Sequence, residues 1–301
     1  MKLEIKNVSK AFNEKMVIDN FSMELERGEC VGLIGPNGAG KSTLIKIISD
    51  IIYPDKGEVL LNGVNVSKMK EEIGYLPQYP NFFHWMTAQE TLMFMGQLSG
   101  LKKEALIEII PEILAKVGLK EEGKSKVGNF SGGMKQRLGI AQALIHKPSL
   151  LIMDEPVSAL DPVGRREVLN LIEEIKQDTT ILLSTHILSD AEEICERFIM
   201  IKKGIKVEDA PITELLGRNS SNQIHVTITA NDVNWIDTVR SLPYVEKVEV
   251  VGHKVKIKVS NIEKNKNRLL ENALLHNVNL IHFEIYSESL EDIFLKLVVQ
   301  K

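Results

Sequence analysis

Gly35-Pro36-Asn37-Gly38-Ala39-Gly40-Lys41-Ser42-Thr43 fits the pattern G-x-x-x-x-G-K-[ST] at every fixed position and follows the apolar run Cys30 to Ile34. A strand therefore feeds a glycine-rich loop, and the apolar stretch Leu44 to Ile48 reads as the helix that follows it. Such a loop can curl until its successive NH groups converge on anionic oxygens, with the positive end of the helix dipole facing the same point. Lys41 then reaches the outer phosphates, and Ser42 supplies a hydroxyl for a magnesium ion. An ordinary glycine-rich turn needs neither the strand before it nor the apolar helix after it. The stretch implies a bound nucleoside triphosphate, held by Gly35, Asn37, Gly38, Gly40, Lys41, Ser42 and Thr43.

A chain of 301 residues has room for one domain of about 200 residues and another of about 80, each able to bury its own core. The net charge of −4 and the isoelectric point near 6.0 leave no basic footprint, so nucleic acid is not expected as a direct partner. Cys30 and Cys195 lie in an apolar strand and a helical stretch, without short metal-ligand spacing. They read as two buried thiols and suit a reducing cytosol. No apolar run is long enough to cross a bilayer, and Met1 to Lys6 alternates like a strand instead of forming a signal-peptide core. A membrane, if involved, must come from another chain.

Leu3, Ile5 and Val8 open an expected edge strand with Met16 to Leu25 as its partner. Asn62-Gly63 between two apolar runs marks a hairpin, which together predict a small antiparallel sheet. Cys30 to Ile34, Leu150 to Met153 and Thr180 to Leu183 read as buried parallel strands joined by helical crossovers. Between Asn81 and His146 the pattern is helical, in segments Ala88 to Leu98, Lys103 to Val117 and Lys135 to Ile145, the second expected to kink or restart at Pro111. Leu150-Leu151-Ile152-Met153-Asp154-Glu155 would carry two carboxylates to the mouth of the phosphate site. There Asp154 can hold the metal shell, and Glu155 can reach a water in line with the terminal phosphate.

Phe130-Ser131-Gly132-Gly133-Met134-Lys135-Gln136-Arg137, lying between the phosphate loop and Asp154-Glu155, resembles the signature sequence of the ATP-binding subunits of ABC transporters. Phe130 stands where the commonest form has leucine and Met134 where it has glutamine, while Ser131, Gly132 and Gly133 are intact. The resemblance covers roughly residues 1 to 215 and implies an α/β P-loop core with an antiparallel β subdomain and an inserted helical subdomain, about 81–146. It implies that Ser131, Gly132 and Gly133 face the γ-phosphate held by an opposite subunit. It further implies that Gln78 contacts the Mg²⁺ or the attacking water, that Ser158-Ala159-Leu160-Asp161 communicates between two nucleotide sites, that His186 holds the γ-phosphate, and that Phe12 stacks on adenine. Glu155 is then expected as general base, Lys41 and His186 as γ-phosphate stabilisers, and Ser42, Asp154 and Gln78 as the metal shell. The cofactors implied are ATP and Mg²⁺.

The ATPase domain is expected over 1–216, a linker over Gly217 to Asn222, and an accessory domain over 223–301. Its order βαββαβ predicts a small α+β ferredoxin-like fold, and a closing helix is expected with Ser289 as N-cap. This ending resembles the C-terminal domain of drug-resistance and Na⁺-efflux type ABC ATPases that serve ABC-2 permeases, and its role is open between regulation and that of a dimerisation or stability appendage. The implied partners are a second ATPase subunit, the same chain or a paralogue, and an ABC-2 permease meeting Tyr79 to Trp85 and the helix Ala88 to Leu98. That places the chain in the cytoplasm, peripheral on the inner face of the membrane, with export as the favoured direction. The alternative is a soluble ABC ATPase acting on a partner such as the ribosome. A single phosphate loop, and an interval from Thr43 to Phe130 too short for a coiled coil, weigh against it.

Overall fold

Leu3, Ile5 and Val8 enter the core from β1 (Lys2–Phe12), which pairs antiparallel with β2 (Lys15–Glu26). The structure, a computed structural model, describes residues 1–218, 222–229, 234–286 and 289–299. β3 (Cys30–Ile34) leads through the phosphate loop into α1 (Lys41–Ile48). β4 (Lys56–Leu61) and β5 (Val64–Asn65) then turn about Asn62 at φ 53 and Gly63 at φ 75, the pair of positive φ values that a type I′ hairpin requires. The order of this sheet is β2-β1-β4-β5, so β1 is an internal strand and not the edge strand expected. Alternation reports which face of a strand is buried and is blind to the hydrogen-bonding direction, where β4 occupies the second side of β1.

The larger sheet is built from β6 (Ile73–Leu76), β7 (Leu150–Asp154), β8 (Thr180–Thr185), β9 (Arg197–Lys202) and β10 (Ile205–Pro211) together with β3, in the order β10-β9-β3-β8-β7-β6. All neighbours are parallel except β10, which runs antiparallel along β9. Every residue of β3, β7 and β8 is buried, the reason these strands read as unbroken apolar runs. β6, β9 and β10 have no counterpart among the strands expected from the sequence. The apolar centre of β9, Phe198 to Ile201, carried the signal, whereas β10 is a half-exposed edge strand.

The crossover helices are α2 (Ala88–Leu98), α3 (Lys103–Lys116), α4 (Gly132–Leu144), α5 (Pro162–Ile175) and α6 (Leu188–Ile194). α2 starts at a capping box in which Glu90 N donates to Thr87 Oγ1 at 3.1 Å and Thr87 N donates to Glu90 Oε2 at 2.8 Å. α3 runs through Pro111 as one helix instead of restarting there. An internal proline costs about 3 kcal/mol. Leu106, Ile110, Ile113 and Leu114 are buried on both sides of it, and each contributes about 1.5–3 kcal/mol. α4 begins three residues before the expected Lys135, because Ser131 Oγ accepts from Met134 N at 3.2 Å and caps it.

By its contacts the chain divides into two compact units, Met1–Ile212 with the stretch from Phe294, and Thr213–Ile293. Gly217 and Arg218, expected in a linker, end α7 (Ile212–Arg218), and residues 219–221 of that linker lie outside the described residues. The second unit contains β11 (Gln223–Ile228), α8 (Asn234–Arg240), β12 (Val245–Val251), β13 (Lys254–Val259), α9 (Ile262–Leu275) and β14 (Leu280–Tyr286). Its sheet is antiparallel throughout, in the order β12-β13-β11-β14, the ferredoxin-like arrangement. α9 begins ahead of the expected Asn267, since the Asn261 side chain accepts from Lys264 N at 3.0 Å. Val233, the expected start of α8, and Ser287 and Glu288, ahead of α10 (Leu290–Phe294), also lie outside the described residues. Ser289 caps α10 by accepting from Asp292 N at 3.2 Å.

Candidate nucleotide site

Gly40, the residue before α1, has φ 110. A Cβ there would lie 2.7 Å from Ile18 Cδ1 and 2.9 Å from Val17 O, so both the conformation and the space require glycine. Lys41 opens α1 almost fully buried. Its Nζ donates to Gly35 O at 2.8 Å and Pro36 O at 3.4 Å and lies 3.8 Å from Glu155 Oε1. Burial pushes the Lys41 pKa below the usual lysine value, against the opposing pull of Glu155 and Asp154.

β7 delivers Asp154, 3% exposed, to the same place. Asp154 Oδ1 accepts from Ser42 Oγ at 3.2 Å and from Ser184 Oγ at 2.6 Å. Glu155 follows at φ 50, a left-handed conformation that costs a non-glycine residue about 1–3 kcal/mol. It is held there by its own N–H, which donates to both Ser184 O and Ser184 Oγ at 3.1 Å. The turn places the Glu155 side chain among three partners. Gln78 Nε2 donates to Oε2 at 3.0 Å, His186 Nδ1 lies 3.1 Å from the same oxygen, and the Lys41 ammonium lies beyond Oε1. Gln78 Nε2 also reaches Ser158 Oγ at 3.4 Å, and Ser158 Oγ in turn donates to Glu155 O at 3.2 Å.

Lys41, Gln78, Glu155, Ser158 and His186 line a cleft of about 470 Å³ together with Asn37, Gly38, Gly40, Ser42 and Thr43, while Asp154 lies behind Ser42 and outside that lining. Ser131, Gly132 and Gly133 do not join them. They line a separate cleft of about 390 Å³ with Ala159, Leu160, Asp161 and Gly164, where Asp161 Oδ1 accepts from Gly164 N at 2.8 Å and caps α5. Phe12 is also outside the first cleft, 45% exposed at the end of β1 with Lys10 Nζ 5.5 Å from its ring centroid. Sequence reasoning missed Ser184, Tyr79 and Val17. The last two line the cleft, and Ser184 is legible only from the β7–β8 register, which sets it beside Asp154.

Residues 18–158 match the family described as ABC transporter, and residues 211–298 match the one described as ATP-binding protein DrrA1-3-like, C-terminal domain. Over 98% of this chain and 99% of the relative, 39% of residues are identical to those of the uncharacterized ABC transporter ATP-binding protein YxlF of Bacillus subtilis (strain 168). The chain belongs to the ABC transporter ATP-binding family. The linearmycin resistance ATP-binding protein LnrL of the same organism is 36% identical over 98% of this chain and 97% of its own. A solved ATP-binding subunit of an ABC transporter superposes with a TM-score of 0.66 at 32% identity, over 72% of this chain and 93% of that one. As an ABC ATPase subunit the chain binds and hydrolyses ATP, and such subunits work with a membrane permease and dimerise. Among the described residues no helix is long and apolar enough to cross a membrane.

Proposed function

We propose that this chain pairs with a second copy or a paralogue around two Mg-ATP molecules and drives an ABC-2 type permease in the export direction. The observation that carries the reading is the convergence of Lys41, Gln78 and His186 on the carboxylate of Glu155. Glu155 orients and deprotonates the attacking water, while Lys41 and His186 stabilise charge on the transferred phosphoryl group. Asn37, Gly38, Gly40 and Thr43 cradle the phosphates, and the exposed ring of Phe12 stacks on adenine.

The donor set fits Mg²⁺. Ser42 and Asp154 present hard oxygens 3.2 Å apart, and Gln78 adds an amide. No group of three His, Cys, Asp or Glu side chains among the described residues could cage a metal alone. That suits an ion held mainly by water and nucleotide oxygens. Bound there, the ion would neutralise charge on the phosphates.

Separation of Ser131 to Gly133 from the phosphate loop of the same chain supports completion of each site by the other subunit. Similarity to a resistance subunit supports export. Exposed Tyr79, Phe83 and Trp85, with Phe83 and Trp85 ring centroids 5.0 Å apart, offer the permease an apolar surface, which would place the chain on the cytoplasmic face of the membrane. Residues 1–216 then form the motor, the helical subdomain 81–146 its contact with the permease, and 223–301 the accessory domain.

Glu155→Gln tests the assignment. The variant should retain Mg-ATP binding, accumulate as a stable dimer, lose turnover by about 10²–10⁴-fold, and carry a multispanning protein with it from solubilised membranes. Turnover at the wild-type rate would remove Glu155 from the chemistry; recovery of a soluble partner without a permease would overturn the transport reading alone.

A further inference from the structure

His186 follows β8 and precedes α6, and its ring makes one polar contact among the described residues, Nδ1 to Glu155 Oε2 at 3.1 Å. The side chain is 43% exposed, so little packing fixes the ring, and the course of the backbone into α6 decides where it points. α6 cannot set that course alone. It has seven residues, and Ile187 before it supplies no side-chain cap. Helices this short are marginal unless tertiary contacts hold them.

α5 supplies such contacts at both ends of α6. At the last turn, Lys176 Nζ donates to Ile194 O at 3.1 Å. At the first turn, Arg165 Nη2 donates to Asp190 Oδ1 and, at 3.4 Å, to Ser189 Oγ. Arg166 pairs with Glu193 between them, but both side chains are exposed, and a pair of that kind contributes little. Asp190 differs: it is 6% exposed, and its Oδ2 is buried without a hydrogen bond. A buried carboxylate in that position depends on its cation, and without Arg165 it is driven toward solvent. Asp190 lies about one helical turn beyond His186, so its movement carries the His186 backbone with it. Arg165 is itself held in place. Asp161 caps α5 by accepting from Gly164 N at 2.8 Å, and Arg165 N donates to Asp161 O at 2.9 Å.

We infer that Arg165 is a positioning residue: by holding Asp190 it fixes the first turn of α6, and with it the His186 imidazole beside Glu155. Arg165 does not line the nucleotide cleft, so its effect on the chemistry passes through α6. The effect on turnover rests on the reading of His186 as a γ-phosphate stabiliser, whereas the placement of the ring does not. Phosphate binding by the loop and α1 involves neither α5 nor α6 and is left intact when Arg165 is removed.

The test uses the full-length chain labelled with ¹⁵N-histidine, without nucleotide. The His186 ring signal, assigned by its absence from H186Q, should move in Arg165→Ala and stay in place in R240A, which removes an exposed ion pair of the second unit. In steady-state ATPase, R165A should lower kcat by about 10–100-fold while the KM for ATP stays within about twofold of wild type. In an H186A background the same change should cause no further loss, because its effect is exerted through the missing ring. R165K, which keeps a cation for Asp190, should recover part of kcat. Circular dichroism checks folding, and Asp190→Asn, which keeps the side-chain volume, is read in the same way should R165A fail to fold. An unmoved His186 signal, or an equal loss of kcat with and without His186, would overturn the inference. H186A turnover at the wild-type rate would overturn the γ-phosphate reading instead, and the ring signal would still decide whether Arg165 places His186.

Discussion

Ser184→Ala removes one oxygen from a fully buried position at the end of β8. That oxygen donates to Asp154 Oδ1 at 2.6 Å and accepts from Glu155 N at 3.1 Å. A buried hydrogen bond to a charged group is worth about 1.5–3 kcal/mol. Glu155 N keeps the Ser184 carbonyl at 3.1 Å, so the second loss is small. The net cost is about 2 kcal/mol, which in a unit of this size lowers the melting temperature by roughly 4–8 °C. The carboxylate left with Ser42 alone is free to turn, so the Mg²⁺ concentration for half-maximal ATPase should rise and turnover should fall about tenfold. Differential scanning fluorimetry and a Mg²⁺ titration of ATPase read the two effects separately. A melting shift below about 1 °C with an unchanged Mg²⁺ requirement would refute the reasoning, because it would mean that Asp154 and Glu155 are held by other contacts.

Gly40→Ala places a methyl group 2.7 Å from Ile18 Cδ1 at a φ of 110 and should abolish measurable ATP binding in calorimetry while the chain stays folded; normal affinity would show that the loop adapts. His146 donates through Nε2 to Ile73 O at 3.2 Å, its Nδ1 is buried without a hydrogen bond, and burial lowers its pKa. As pH falls through about 6.5 the unfolded chain takes up the proton first. Stability is therefore lost from there down to the lower folded value, and urea midpoints of H146Q should fall less on acidification than those of wild type; parallel curves would exclude a role for His146. Cys30 Sγ and Cys195 Sγ are 3.7 Å apart, and contact with Cys30 together with burial pushes the Cys195 thiol well up. Ellman's reagent should find neither thiol in the native chain and both in guanidinium, whereas rapid native labelling would contradict their burial.

The phosphate loop was readable because its requirements are local: a strand, glycines where the backbone must turn, and a helix start all fall within one short stretch. The same holds for the buried parallel strands and the ferredoxin-like unit, whose apolar periods specify strand or helix directly. Failures came where the deciding partner is distant in the chain. Pro111 breaks a local rule, yet apolar burial on either side of it carries the helix through. β1 is internal because β4 returns to it, a pairing that its own alternation cannot express.

The sequence by itself determined the family and the nucleotide and singled out the candidate groups, since residue type at fixed local spacing sets which atoms are able to bind phosphate or move a proton. Only the tertiary structure decided their mutual placement. Adjacent parallel strands bring Ser184 beside Asp154, a left-handed turn swings Glu155 to Gln78, His186 and Lys41, and the fold keeps Ser131 to Gly133 in a separate cleft from the phosphate loop of their own chain. Those distances depend on packing between residues far apart in the chain, which no local pattern encodes.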